Sequence, residues 1–287
     1  MLQRLKDVWM RQTDPARAET WPYVAPVSVR KMVLLDPIPL LLPDAKLMVL
    51  FSAKSACTSV VIWFLNHLGH AKAARDYANW PHFYRNEVYY KSKAFRHAWG
   101  TPLREYRLVK VMRDPFQRAA SSFRHLVRHI EMDPSVGTFL QRDDLEEKGL
   151  SFDEFLRFLE ASDVSAVNPH YKLQRHPIED RLRVRHLINV SQEDLFARLN
   201  EVERDVGLPV TDFSALAWIH EAQEGRGVPH FDSDEDISGR RFMRAEAYHG
   251  PWPSPKTLLT AEARSRIARI YAADVQGLTQ PAGRGAR

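Results

Sequence analysis

A single lysine stands among small and hydroxyl side chains in residues 51–59, whose sequence is Phe-Ser-Ala-Lys-Ser-Ala-Cys-Thr-Ser. The apolar run 47–51 predicts a short buried strand, and the apolar run 60–68 predicts a buried helix that ends at Gly69. A strand, a tight turn and a helix favour phosphate binding, because the helix start offers unpaired N–H groups and a positive dipole end. Lys54 adds a positive charge there, so the segment predicts a nucleotide-like ligand.

The nucleotide need not be ATP. The loop of nucleoside triphosphatases follows the pattern G-x-x-x-x-G-K-[ST], and no such run occurs in this chain. Here the lysine precedes the hydroxyl residues instead of following two glycines. Considered alone, an ordinary capped helix with a surface lysine nearby explains the turn about equally well.

A second segment favours the phosphate interpretation. Residues 106–112 alternate as in a β-strand and are followed by Arg113. Residues 114–117 contain an aspartate suited to a helix N-cap, a proline suited to the first helical position, and a glutamine that would complete a capping box. Arg113 therefore ends a strand, and Ser121 lies on the second turn of the next helix. An arginine fork and a hydroxyl at the edge of an α/β sheet suit a second phosphate.

Together the two segments resemble the phosphate motifs of sulfotransferases, most closely the carbohydrate sulfotransferases that include the chondroitin 4-O and HNK-1 enzymes. In that family the first motif holds the 5′-phosphosulfate of 3′-phosphoadenosine 5′-phosphosulfate (PAPS), and an arginine and a serine of the second hold the 3′-phosphate. The family's first motif usually begins with a proline, where this chain has Ala53. The cofactor-binding residues implied by the resemblance are Lys54, Ser55, Ala56, Cys57, Thr58, Ser59, Arg113 and Ser121.

Weaker likenesses follow in the family's order. Residues 152–156 resemble its helix after the second motif, and residues 168–171 resemble its Asn/Asp-x-His-Trp stretch with tyrosine in place of tryptophan. Residues 270–274 resemble its terminal Tyr-x-x-Asp segment. The resemblance implies an α/β protein with a P-loop-like sulfotransferase fold, in which helices flank a central, mostly parallel sheet.

The expected organisation is one domain with two flanking segments. Residues 1–44 contain several prolines and predict an extended arm, residues 45–276 form the sulfotransferase domain, and residues 277–287 form a disordered tail. The chain has 287 residues, of which 44% are hydrophobic and 27% charged, which suits one large α/β domain. The oligomeric state stays open.

The net charge and the single cysteine limit which ligands and metal sites are expected. The net charge of +5 suits an anionic cofactor, and no dense basic run with interleaved aromatic residues predicts nucleic-acid binding. Cys57 is the only cysteine, so neither an intrachain disulfide nor a cysteine-based zinc site is expected. The apolar run 32–42 is interrupted by Asp36 and two prolines and is too short for a bilayer, which needs ~20 residues. Without a signal-peptide pattern, we expect a cytoplasmic protein.

The resemblance implies in-line transfer of a sulfuryl group from PAPS to a hydroxyl acceptor. A carbohydrate is the first acceptor to expect, and no metal ion is implied. Lys54 would stabilise the leaving phosphate oxygen. Many sulfotransferases place a histidine or glutamate base shortly before the second motif, and His97 occupies that interval. His97 is therefore the expected catalytic partner of Lys54, although a surface or packing role explains it equally well. His82 and Glu87 are alternatives.

Three other histidines have weaker interpretations. His170 lies in the family-like stretch 168–171 and would touch substrate, or it is a turn histidine after a proline. His125 and His129 have the i, i+4 spacing of a helical metal site, but neighbouring arginines indicate a solvated face.

Two alternative functions stay open, with a nucleic-acid-binding module as a distant third. The first alternative is a P-loop phosphotransferase, but this chain lacks the glycines of that loop and a clear Mg²⁺-binding aspartate. A non-catalytic nucleotide- or anion-binding protein of the same fold would keep Lys54, Arg113 and Ser121 but lack turnover.

Overall fold

The structure is a computed structural model that describes residues 37–98, 101–216, 218–219 and 228–279. The strands are β1 (Leu40–Leu42), β2 (Leu47–Leu50), β3 (Arg107–Met112), β4 (Leu150–Ser151), β5 (Val184–Asn189), β6 (His230–Phe231), β7 (Arg241–Phe242) and β8 (Trp252–Pro253). The helices are α1 (Cys57–His67), α2 (Ala71–Tyr77), α3 (Pro81–Glu87), α4 (Lys93–Ala98), α5 (Pro115–Arg128), α6 (Pro134–Leu140), α7 (Leu145–Lys148), α8 (Phe152–Glu160), α9 (Leu195–Val206), α10 (Arg244–His249), α11 (Pro255–Leu258), α12 (Ala261–Ile270) and α13 (Ala272–Thr279). Short 3-10 turns cover Tyr89–Lys91, Leu103–Glu105, Ile130–Met132, Pro177–Asp180 and Phe213–Ala215.

The central sheet has the strand order β1-β2-β3-β5. The pairs β2–β3 and β3–β5 are parallel, and β1 is an antiparallel edge strand. The predicted α/β class is confirmed, with a mixed sheet that helices flank. Because β2 and β3 are parallel neighbours, the segments that follow their carboxyl ends emerge at the same edge of the sheet.

The predicted β2–turn–α1 unit is present, and its apolar runs explain its position. All four residues of β2 are buried, as expected for a strand covered on both faces. In α1 the run Val60 to Leu65 has no exposed surface, so the middle of this helix is buried on all sides. Its far end is fixed by Glu203 of α9, which accepts from the Trp63 indole N–H at 2.7 Å.

The apolar residues form two cores. One surrounds the sheet and α1 and includes Leu47, Val109 and Ile188. The other lies between α5, α8 and α12 and includes Phe123 and Phe155. The chain passes from the first core to the second between β3 and α5, which is the segment that contains Arg113.

Two helix starts have side-chain caps, and that of α5 is the predicted one. In α5 the Asp114 carboxylate accepts from the Gln117 N–H at 2.9 Å, with Pro115 at the first helical position. The predicted return bond of a capping box is absent from the described contacts of Asp114, because its backbone N–H donates to Ser191 Oγ at 3.2 Å. The start of α8 has a complete capping box, in which the Ser151 hydroxyl accepts from the Glu154 N–H and the Glu154 carboxylate accepts from the Ser151 N–H.

Both predicted boundary segments need correction where the structure describes them. The arm over 1–44 ends in β1, whose apolar side chains are buried against β2, so residues 40–42 belong to the domain. The disordered tail was expected from residue 277, but α13 continues to Thr279. The rest of the predicted arm, residues 1–36, and of the tail, residues 280–287, lies outside the described residues.

The described helices are short or carry charges, and none is long and apolar enough to cross a membrane. The longest of them, α5, has 14 residues and one charged or polar face.

Candidate functional site

The turn after β2 has an unusual backbone. Lys54 and Ala56 both adopt left-handed conformations, with φ of 67° and 56°, although neither is glycine. Such a conformation costs an L-residue roughly 1–2 kcal/mol. Ala56 is also the N-cap of α1 and offers no side-chain acceptor to its first N–H groups. The turn is therefore strained and ends in a helix start without a side-chain cap.

The serines of this turn face inward. Ser52 and Ser55 are buried, their hydroxyls lie 2.8 Å apart, and both donate to Gln174 Oε1. The Ser55 backbone N–H donates to the Ser52 carbonyl at 3.3 Å. Ser55, predicted to contact a cofactor, therefore uses both groups to shape the turn. Of the other predicted contacts, Thr58 and Ser59 are buried in the first turn of α1, and Cys57 is half-buried.

Arg113 reaches the same turn from the end of β3. Its Nη1 lies 3.5 Å from the Lys54 carbonyl oxygen. Its backbone N–H donates to Gln174 Oε1 at 2.9 Å, and its carbonyl accepts from Gln174 Nε2 at 2.8 Å. Gln174 thus ties the two predicted phosphate motifs together, and the structure brings Lys54 and Arg113 to one place.

The sequence interpretation gave Gln174 no role. Its own backbone N–H donates to both carboxylate oxygens of Asp274 at 3.0 Å, and the Tyr271 hydroxyl donates to the Tyr171 carbonyl at 2.6 Å. Burial raises the pKa of Asp274. The two weaker family-like segments, 168–171 and 270–274, therefore meet and position the residue that joins the stronger pair. In the sequence, only the order of these two segments, which follows that of the family, pointed to a shared site.

Arg118 is a second arginine that the sequence interpretation left without a role. It is 2% exposed, and its Nε donates to the Ala53 carbonyl at 3.0 Å while Nη2 donates to the Pro169 carbonyl at 3.4 Å. Burial lowers the pKa of both Arg118 and Arg113. In the part of the chain that the structure describes, neither arginine forms an ion pair with a carboxylate.

The histidines of α5 lie inside the site. His125 is half-buried and stacks on His170 with ring centroids 3.6 Å apart, and His129 lies 4.6 Å from His125. The solvated face expected for His125 and His129 is therefore wrong. Burial lowers the pKa of His170 to about 3, with the Lys54 charge as the next cause, and lowers that of His125 further. No described group of three or more candidate ligands is arranged for a metal ion.

Ser121 and His97, the other predicted site residues, have different positions. Ser121 is half-buried on α5, and its spacing from Arg118 and His125 places it on the helix face that meets the site. His97 is exposed at the end of α4, next to Ala98, whose carbonyl accepts from a tyrosine hydroxyl at the start of β3. That is the amino end of the parallel strands, so the structure does not bring His97 to Lys54.

Neither protein-family models, curated proteins nor solved structures match this chain.

The site is rich in positive charge. The Arg113 guanidinium contacts the Lys54 backbone carbonyl, Arg118 binds the adjacent Ala53 carbonyl, and the hydrogen bonds described for these two guanidinium groups go to carbonyl oxygens. The Lys54 charge acts on His170, which places it at the same site. The turn that Arg113 contacts is strained and leads into a helix start without a side-chain cap. This arrangement can hold an anion with more than one charged group.

Proposed function

We propose that this protein is a sulfotransferase that moves the sulfuryl group of PAPS to a hydroxyl acceptor. The observation that supports it most is the approach of Arg113 Nη1 to the Lys54 carbonyl, which joins two phosphate-type motifs at the carboxyl edge of the sheet. PAPS carries two separate anionic groups, and the two motifs offer one set of donors to each. A P-loop-like sulfotransferase fold and a cytoplasmic location belong to the same proposal.

The division of roles follows from the two motifs. The turn 54–59 takes the 5′-phosphosulfate, since the start of α1 supplies N–H groups and a positive dipole end. Arg113 and Ser121 take the 3′-phosphate, since a half-buried guanidinium and a hydroxyl on α5 suit a second phosphate. Burial of Arg113 strengthens its attraction for an anion, because little water screens the charge.

Transfer proceeds in line. The acceptor oxygen forms a bond to sulfur while the bond from sulfur to the 5′-phosphate oxygen breaks, and that oxygen keeps the electron pair. Lys54 stabilises the negative charge that develops on the leaving oxygen. We propose a carbohydrate as the acceptor, on the family resemblance alone.

The cofactor is tested first by titration calorimetry with 3′-phosphoadenosine 5′-phosphate, ADP and AMP in the absence of Mg²⁺. We expect micromolar binding only for the first compound. Arg113→Ala should abolish the preference for the 3′-phosphate. Arg107→Ala is the matched control, because Arg107 lies at the amino end of the same strand and should bind like the wild type.

Other outcomes of the titration point to the alternative functions. Equal binding of ADP, or binding that requires Mg²⁺, would contradict the proposal and favour a phosphotransferase. Selective binding of the 3′-phosphate without sulfate transfer to any of a panel of carbohydrate and alcohol acceptors would favour the non-catalytic alternative.

A further inference from the structure

The backbone of His170 is held by α5. Its carbonyl accepts from the Ser122 hydroxyl at 2.6 Å, and the carbonyl just before it, that of Pro169, accepts from Arg118. Arg118 also binds the carbonyl of Ala53, just before Lys54. One buried guanidinium therefore fixes the residues that precede Lys54 and His170, which places those two side chains at the same site. The influence of the Lys54 charge on His170 is consistent with this proximity.

The orientation of the His170 ring is fixed as well. Asn168 Oδ1 accepts from the His170 backbone N–H at 3.0 Å and lies 2.9 Å from His170 Nδ1. On its other side, Asn168 Nδ2 donates to the Asp133 carboxylate at 3.1 Å. Stacking against His125 restrains the plane of the ring. Asn168 and His125 thus hold the ring directly, and Asp133 holds Asn168.

These contacts determine the tautomer of the neutral ring. The Asn168 atom that faces Nδ1 must be the amide oxygen, because the same atom accepts from a backbone N–H. Nδ1 must therefore carry the hydrogen, and Nε2 is the nitrogen with a lone pair. No described hydrogen bond uses Nε2.

From this geometry we propose that His170 Nε2 is the general base that takes the proton of the acceptor hydroxyl, and that Asn168 is the positioning residue that holds its tautomer. The inference rests on the proposed function. It places the base after the second phosphate motif in the sequence, whereas the family resemblance led to the expectation of His97 before it.

The proton and electrons balance without any further reactant. His170 Nε2 accepts the proton of the acceptor O–H as the acceptor oxygen bonds to sulfur. The sulfur–oxygen bond to the 5′-phosphate breaks, and its electron pair stays on the leaving oxygen beside Lys54. The imidazolium then releases the proton to solvent after the products leave.

Burial and the positive charges around His170 make it a weak base until the cofactor binds. Burial lowers the pKa of His170 most, and the charges of Lys54, His129 and Arg118 lower it further, while His125 stacks on the ring. A bound phosphosulfate and 3′-phosphate bring several negative charges close to these positive groups. They offset the effect of Lys54 and Arg118 on the imidazole, so the cofactor itself raises the basicity of His170.

The first test measures the ring directly by two-dimensional ¹⁵N–¹H NMR of histidine side chains. In the free protein at pH 7 we expect His170 with hydrogen on Nδ1 and an unprotonated Nε2. Addition of 3′-phosphoadenosine 5′-phosphate should move its titration to higher pH. Asn168→Ala should increase the fraction of His170 rings that carry hydrogen on Nε2. If Asn168 had only a structural role, this fraction would not change. A wild-type ring with hydrogen on Nε2 would overturn the proposal.

The second test separates binding from transfer. His170→Gln should bind 3′-phosphoadenosine 5′-phosphate within about twofold of the wild type but release sulfate from PAPS to water and to simple monosaccharides about 100-fold more slowly. His97→Gln is the matched control and should change neither quantity. An unchanged rate in His170→Gln would overturn the base assignment, whereas failure of the wild type to bind the nucleotide would overturn the proposed function instead.

Discussion

Two strand–turn–helix units meet at the site, and their helix starts differ. In β3–α5 the turn is short, Asp114 caps the helix and Pro115 occupies its first position. In β2–α1 the turn contains two left-handed residues, and the cap position is an alanine, whose side chain cannot accept a hydrogen bond. In the first unit the Asp114 side chain accepts from an N–H of the helix start, whereas the second leaves the start of α1 without a side-chain acceptor.

This difference separates two ways of binding an anion. The α1 unit can offer backbone N–H groups at the cost of local strain, as expected where a ligand supplies the missing acceptor. The α5 unit, already capped, can offer only side chains, namely Arg113 and Ser121. A ligand should therefore stabilise the α1 turn more than the α5 turn. Each prediction below changes one side of this comparison.

The largest effect is expected for Lys54→Ala. Removal of its charge takes away the stabilisation of the leaving oxygen, so the rate of sulfate transfer should fall by about 10²–10³. Binding of 3′-phosphoadenosine 5′-phosphate should weaken far less, because backbone donors remain. Rates are measured by sulfate release from PAPS, and affinities by calorimetry.

Lys46→Ala is the matched control for this substitution. Lys46 also has a left-handed backbone, with φ of 48°, but it lies at the opposite end of β2 and pairs with Glu105 on the surface. It should leave both rate and affinity unchanged. A Lys54 variant that lost affinity and rate in equal measure would show that the lysine contributes only to binding.

The second prediction concerns the residue that joins the two units. Gln174→Leu removes the acceptor of Ser52, Ser55 and the Arg113 N–H and leaves these buried groups unpaired. We expect the free energy of unfolding to fall by about 2–4 kcal/mol, since each orphaned group costs about 1–3 kcal/mol and the turn relaxes in part. Urea denaturation measures the change.

The exposed Gln192→Leu is the control and should stay within about 0.5 kcal/mol of the wild type. If Gln174→Leu proved equally mild, the two units would not be joined as the structure describes, and Arg113 and Lys54 would not share one site.

Local chemistry explains what the sequence predicted. Asp114 and Pro115 act within a few residues of the helix start that they define, so their roles follow from the sequence alone. Gln174 contacts Ser52 across 122 positions, and such a pairing has no local pattern. The strand β1 was missed for a related reason, because its three leucines become a strand only through pairing with β2.

The same distinction applies to the base. The interval before Arg113 predicted His97, but position along the chain does not determine which end of the sheet a side chain reaches. Asn168 is a local neighbour of His170, but Arg118 and Ser122 reach this stretch only in the folded protein.

The third prediction uses the neutral histidines that face Lys54. His170 has a folded-state pKa of about 3, below its value of about 6.5 in an unfolded chain. Below pH 6.5 the unfolded chain therefore binds a proton at this histidine that the folded chain does not bind. As the pH is lowered, the free energy of unfolding falls by up to about 1.4 kcal/mol per pH unit. This loss continues down to about pH 3.

His170→Asn should reduce that slope, measured by urea denaturation at pH values from 6.5 to 4.5. His97→Asn, which removes an exposed histidine, is the control. If His170→Asn reduced the pH dependence of the free energy of unfolding no more than His97→Asn does, His170 would not be a buried neutral histidine in the folded protein.

The smallest effects compare the two helix starts directly. Asp114→Ala removes the cap of α5 and should lower the free energy of unfolding by about 1 kcal/mol. Ala56→Gly removes the strain of a left-handed alanine at the start of α1 and should raise the free energy of unfolding by up to about 1 kcal/mol. The larger entropy of the unfolded glycine chain reduces this gain. Opposite signs in thermal or urea unfolding would support a satisfied α5 start and a strained α1 start, and saturating 3′-phosphoadenosine 5′-phosphate should stabilise both variants. If Ala56→Gly destabilised the free protein as much as Asp114→Ala, the turn after β2 would carry no strain, and its shape would no longer indicate a position prepared for a ligand.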